Sequence, residues 1–221
     1  FEPIQKICLS RKADLRWQSV DYLHSRELSP QNSLAEWGRH FNQLVKKRAA
    51  GDDENILLGY SLGGRLALQA LKENPRLWQA VVCLSVNPGI HESEKPDRLR
   101  NDHDWAQRFL TENFARTVEK WNAQPVFHGS RAEPFRAESG CNRRQLADCL
   151  ENWSVAKQED FRKFLGKIDC PVLYLAGEHD AKYRKIGEDL SRMNPKIHYQ
   201  MIPQAGHRVL FDQPQEVAGQ I

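Results

Sequence analysis

Apolar and polar positions follow two different rhythms along this chain. Asn55–Tyr60 (NILLGY), Ala80–Val86 (AVVCLSV) and Val172–Ala176 (VLYLA) are short apolar runs, the pattern of strands covered on both faces. Ile197–Ile202 reads as a last strand, and Arg16–Tyr22 (RWQSVDY) has a strand-like core before a polar loop to Asn32. Between these runs the apolar spacing turns helical. Leu34, Trp37, Phe41, Leu44 and Val45 follow the S-x-x-E capping box Ser33–Glu36, with Gly51 as the expected stop. Further helices are predicted over Gly63–Lys72 and Lys182–Met193 and from Pro214 onward.

Strands and helices that alternate in this way predict an α/β fold, a mostly parallel sheet with helices on both faces. From Asn87 to Gly166 the alternation stops. This stretch is polar, rich in Arg and Trp, and reads as several helices without a strand. It is expected to be a helical cap (87–166) inserted into a core formed by 1–86 and 167–221.

Composition narrows the picture. A length of 221 residues suits one core. The 6 Trp, 9 Phe and 5 Tyr argue against a disordered chain. No apolar run approaches the ~18 residues of a membrane span, and a net charge of +3 is too small to suggest nucleic-acid binding through bulk charge. The cysteines are Cys8, Cys83, Cys141, Cys149 and Cys170. An odd count without CxxC argues against a disulfide framework and a structural zinc site, and favours a reducing compartment, the cytoplasm.

The candidate chemistry starts at Gly59-Tyr60-Ser61-Leu62-Gly63, a G-x-S-x-G placed between a buried strand and a small-residue helix start. That context is a strained strand-to-helix turn that exposes a nucleophile. A serine hydroxyl needs a base, and the base needs an orienting carboxylate. Asp180 follows the strand VLYLA and His207 follows the strand HYQMI, so both stand at strand ends; Glu178 is the rival acid. The order Ser, Asp, His is that of the α/β-hydrolases. His179 reads as a loop residue, and His24, His40 and His198 as surface or structural. The Leu62 N–H is one candidate oxyanion donor. The loop for the second is expected before Phe1, with a strand, in roughly 20 further residues.

Arginines crowd the cap: Arg98, Arg100, Arg108, Arg116, Arg131, Arg136, Arg143, Arg144 and Arg162. Arg65 lies one helical turn beyond Ser61. A guanidinium there suits a substrate carboxylate. On that reading its loss leaves the melting temperature nearly unchanged; the alternative is a strut paired to Asp102 or Asp104.

Several motifs together resemble one family. They are GYSLGGR at Gly59–Arg65, Pro88-Gly89-Ile90, Arg98 with Asp102–Phe109 (DHDWAQRF), Trp121–Phe127 (WNAQPVF), Gly177–Tyr183 against G-E-x-D-x-K-F, and Ala205-Gly206-His207. This set is similar to the SHCHC (2-succinyl-6-hydroxy-2,4-cyclohexadiene-1-carboxylate) synthases of menaquinone biosynthesis, which have the α/β-hydrolase fold. The family's LPGHG loop is replaced by Asp21–Ser25, and its His-Pro-Gly by Asn87-Pro88-Gly89. The resemblance implies proton abstraction by Ser61, His207 and Asp180, elimination of pyruvate, and a small polycarboxylate substrate held by Tyr60, Arg65, Arg98, Trp121 and Arg136, with Arg143 as rival to Arg136. It implies no metal or organic cofactor. The same triad also fits a carboxylesterase or C–C bond hydrolase, and a non-catalytic binder on this fold is a further alternative.

Overall fold

The computed structural model describes residues 2–11, 15–22, 28–29, 33–48, 54–131 and 142–221. Four strands form one sheet in the order β1 (Ile56–Tyr60), β2 (Ala80–Leu84), β3 (Val172–Gly177) and β4 (Ile197–Ile202). Every neighbouring pair is parallel, with Gly59 opposite Cys83 and Tyr174 opposite Tyr199. All four carboxyl ends therefore face one edge, where ligands bind in open α/β sheets.

Alternate strand residues feed two cores, one on each face. Leu57, Val81, Cys83, Val172 and Tyr174 join helices α2 (Leu34–Arg48), α3 (Leu62–Glu73) and α8 (Ala181–Met193) in the larger one. Leu84, Leu175 and Ile202 point the other way, against α1 (Glu2–Arg11), α9 (Val209–Asp212) and α10 (Pro214–Gln220). The continuous apolar runs of the strands reflect this double burial. At α2 the capping box forms, since Ser33 Oγ accepts from the Glu36 N–H (3.3 Å) and Glu36 Oε2 accepts from the Ser33 N–H (2.9 Å).

Between β2 and β3 the chain forms α4 (Lys95–Thr111), α5 (Phe114–Asn122), α6 (Arg143–Asn152) and the single turn α7 (Arg162–Leu165), with no strand among the described residues. Trp105, Phe109 and Phe114 give these helices a small core of their own, against which Trp121, Leu146 and Leu150 pack. Asn113 and Asn142 cap α5 and α6 through the N–H groups of Arg116 and Gln145, each at 3.1 Å.

Two readings change. Residues 16–22 are not a strand. Among the described residues no strand forms a ladder with them, and Val20 stays 40% exposed, so the local pattern lacks the neighbour that a strand needs. The α1 helix went unread, although it buries Ile4 and Cys8. Gly51, the expected stop of α2, lies outside the described residues.

Candidate active site

The site is built at three strand ends. Ser61 follows β1 directly and holds φ 48°, ψ −113°, left-handed for a residue with a side chain. Its N–H donates to Leu84 O of the neighbouring strand (2.9 Å), and its carbonyl accepts from the Arg65 N–H (3.1 Å). The strained turn is clamped from both sides. Close packing explains two of the three glycines. A Cβ on Gly59 would lie 2.5 Å from Gly64 Cα, and one on Gly64 would lie 2.1 Å from Val86 Cγ2. Gly63 faces open space, with nothing within 4 Å of such a Cβ.

His207 Nε2 lies 3.2 Å from Ser61 Oγ, and Nδ1 lies 2.8 Å from Asp180 Oδ2. The carboxylate on Nδ1 places the ring proton there, so Nε2 accepts from the serine hydroxyl. The imidazole and the acid are both buried. Asp180 also occupies the N-cap of α8, where its other oxygen is 3.5 Å from the Tyr183 N–H. Glu178, the rival acid, points elsewhere and accepts from the Gln204 N–H (2.8 Å). It ties the acid loop to the histidine loop, as do the bonds from the His179 N–H to Ala205 O (2.8 Å) and from the Glu178 N–H to Ile202 O (2.9 Å). His179 is exposed.

The Trp121–Arg131 segment holds the histidine loop from the other side. Asp212 accepts from the Gly206 N–H (2.9 Å) and the Arg131 N–H (2.6 Å). The buried Arg208 guanidinium donates to Asn122 Oδ1 (2.6 Å) and stacks 4.0 Å over the Phe127 ring. Phe127, Tyr60 and Tyr183 surround the imidazole at ring separations of 5.9, 5.5 and 4.5 Å.

Above Ser61 opens a cavity of about 150 Å³ between the sheet edge and the helices that follow β2. Ser61, Leu62, Arg65, Arg98 and Trp121 all line it. The Leu62 N–H opens α3, so it has no acceptor within the helix. Tyr60 is not part of the cavity wall and packs on His207 instead. Arg143 is held away, donating to Phe109 O (3.2 Å) and Glu112 O (2.9 Å) at the end of α4. Arg136 lies outside the described residues.

Arg65 corrects the sequence reading. It pairs with neither Asp102 nor Asp104. It donates to Trp153 O (2.7 Å) and Gln158 Oε1 (3.3 Å), while Asp102 accepts from Arg98 Nε at 2.8 and 2.9 Å. Arg65 therefore both lines the cavity and fastens the helical segment, so its removal must affect stability. Burial pushes its guanidinium down to about 10, helped by Arg98 nearby, so it stays cationic at neutral pH. Two guanidiniums against one carboxylate give the cavity a net positive charge.

Sequence reasoning did not pick out Tyr183, Cys149, Asn87 or Gln158. The first three line the cavity, and Gln158 braces Arg65 and donates to Asn87 O (3.2 Å). Of these, Asn87 stood out as a departure from a family pattern, and Tyr183 closed the Gly177–Tyr183 motif without being assigned a role. Burial pushes the Tyr183 phenol and the Cys149 thiol up to about 12 each. Among the described residues no group of three or more His, Cys, Asp or Glu could hold a metal, and no helix is long and apolar enough to cross a membrane.

Comparison with known proteins agrees with this geometry. Residues 14–220 match a family described as "Alpha/beta hydrolase family". Proteins named 2-succinyl-6-hydroxy-2,4-cyclohexadiene-1-carboxylate synthase from Escherichia coli O1:K1 and K12 are 36% and 35% identical over 163 residues, or 72% of this chain. The match spans 63% of those relatives' length. The structure of MenH from S. aureus superposes with a TM-score of 0.76 at 21% identity, covering 85% of this chain and 73% of that one. A thermophilic esterase from Thermogutta terrifontis superposes at 0.68 with 18% identity, covering 86% and 70%. At these identities the two superpositions speak to the fold alone.

Proposed function

Because the chain belongs to the alpha/beta hydrolase family, we propose that its serine, histidine and aspartate make the product for which its E. coli relatives are named, 2-succinyl-6-hydroxy-2,4-cyclohexadiene-1-carboxylate, by an elimination. In that reading the chain is an SHCHC synthase that removes pyruvate from an enolpyruvyl cyclohexene polycarboxylate. The observation that carries it is the opening of the Ser61–His207–Asp180 chain onto a cavity lined by two guanidiniums. Neutral esters have no use for that charge; a substrate with several carboxylates does.

The steps follow from the geometry. Ser61 Oγ passes its proton to His207 Nε2 and takes the proton from the carbon beside the succinyl ketone. Charge develops on the ketone oxygen, where the Leu62 N–H stabilises it. The electron pair then moves through the ring alkene, the ring C–O bond breaks, and enolpyruvate leaves. Ser61 is left carrying the substrate's proton and the imidazolium carries the serine's, which it yields to the leaving enolate to form pyruvate. Asp180 stabilises the imidazolium. No acyl-enzyme forms. Arg65, Arg98 and Arg136 bind carboxylates, with Trp121 completing the contacts and Tyr60 supporting the His207 ring, and residues 87–166 act as a cap over the core. The partner is a small polycarboxylate in the cytoplasm, with no nucleic acid or membrane involved.

Pyruvate release from the enolpyruvyl substrate, followed by coupling to lactate dehydrogenase, tests this reading. Saturable release that disappears in Ser61→Ala supports it. A p-nitrophenol burst from a short ester without pyruvate release would replace it with a carboxylesterase, which the same triad can serve.

A further inference from the structure

Tyr183 brings into the cavity a polar group that the elimination does not use. It stands in the first turn of α8, three residues after Asp180, and is 9% exposed. One face of its ring packs on His207. Its hydroxyl makes no hydrogen bond among the described residues. Nor is it sealed away: the sealed side-chain polar atoms without a partner are Trp37 Nε1 and Ser85 Oγ. The side chain lines the cavity, so the phenol oxygen opens into it. Arg65 and Arg98 line the same cavity, and both act on the phenol electrostatically.

A buried phenol normally finds a hydrogen-bond partner, because leaving the bond unmade is costly. No described residue supplies that partner here, so the hydroxyl takes one from what fills the cavity: water when it is empty, a ligand group when it is occupied. With Arg65 and Arg98 lining the same cavity, that ligand group is an anion. An ionised carboxylate has about four acceptor sites, enough for two guanidiniums and a hydroxyl. Burial holds the phenol protonated far above neutral pH, so it can only donate to such a group.

We propose that Tyr183 is a specificity-determining residue whose hydroxyl donates to a substrate carboxylate held by Arg65 and Arg98. The inference takes from the proposed function only the class of the substrate. A phenylalanine at this position would keep the ring against His207 and remove the oxygen alone.

The test uses Tyr183→Phe and two readouts. The first is succinate binding without turnover, followed by the fluorescence of Trp121 and Trp153, which line the same cavity. The expected result is a Kd about 10-fold higher in the variant at an unchanged melting temperature. Monomethyl succinate, with one carboxylate masked, should show a smaller gap between the two proteins. The second readout is pyruvate release, where the loss in kcat/KM should fall on KM. Equal succinate affinity in both proteins overturns the proposal, as does no succinate binding by the parent protein. If succinate binding falls in the variant but neither protein releases pyruvate, the Tyr183 assignment survives and the elimination reading fails. If pyruvate is released with the same KM by both, the elimination stands and the Tyr183 assignment fails.

Discussion

The two halves of the site are held by different means. The half that carries the reacting groups rests on the sheet. Ser61 is bonded to β2 through its backbone, Glu178 and His179 are bonded to the histidine loop, and glycines let the segments touch. The half that encloses the cavity rests on side chains. Arg65 reaches Trp153 O, Arg98 reaches Asp102, and Gln158 spans Arg65 and Asn87. Backbone ladders place a reacting oxygen with little freedom, whereas side-chain contacts can be exchanged while the helices stay in place. Reaction geometry is thus separable from substrate choice, and Arg65 is where the two meet.

The sharpest challenge to this division comes from the sheet half. Ser61→Ala should lower pyruvate release by ~10⁴-fold or more with the melt unchanged. A residual rate within tenfold of the parent would show that the hydroxyl is not the reacting group.

Arg65 tests the junction. Arg65→Ala should reduce kcat/KM for the polycarboxylate by roughly 30- to 1000-fold, and Arg65→Lys should recover only part of it. The melt should fall as well, because the Trp153 carbonyl loses its donor at a cost of about 1–3 kcal/mol. Since the guanidinium titrates at about 10, substrate affinity should hold through neutral pH and weaken as the pH rises past that value. A stability loss without a kinetic one would make Arg65 a fastener alone.

The glycines give a smaller, purely structural contrast. Gly59→Ala forces a Cβ onto backbone and should cost about 1–3 kcal/mol in a thermal or urea melt. Gly63→Ala, facing open space, should cost nothing and can gain about 0.5–1 kcal/mol of helix stability. Equal losses at the two positions would mean that the close approach of β1 and α3 is not what the turn depends on.

The smallest effect is expected at Cys149. Its thiol lines the cavity but titrates near 12, so at pH 8 almost no thiolate exists. Iodoacetamide should leave it unlabelled by mass spectrometry and leave pyruvate release intact. Rapid labelling would show a wetter, more open pocket than the helices describe.

Sheet and site differ in how far they could be read from the amino acids. Four strands, their intervening helices and the positions of Ser61, Asp180 and His207 follow from apolar runs and the residues at their ends, because those patterns encode burial directly. Residues 16–22 misled because a strand also needs a neighbour, which no local pattern specifies. The α1 helix has weak amphipathicity, and only its docking on α10 makes Ile4 a core residue. Gln158 has no motif of its own, and Tyr183 closes a motif that was read only for its acid; both belong to the site because distant segments bring them to the cavity of Arg65. The partners of Arg65 were misjudged for the same reason. A charged neighbour was the natural expectation, and the fold supplied a carbonyl from 88 residues away.

The hydrogen bond between Ser61 and His207 joins residues 146 positions apart. During synthesis the strained turn at Ser61 can form early, since β1 and α3 are contiguous. The imidazole arrives only when β4 has emerged and paired with β3, its sole neighbour in the sheet among the described residues. A nascent chain on the ribosome therefore carries its serine through 146 further positions of synthesis before the base arrives. Turnover by the proposed triad should therefore appear only once the histidine loop has docked, which makes its appearance a clock for that step of folding.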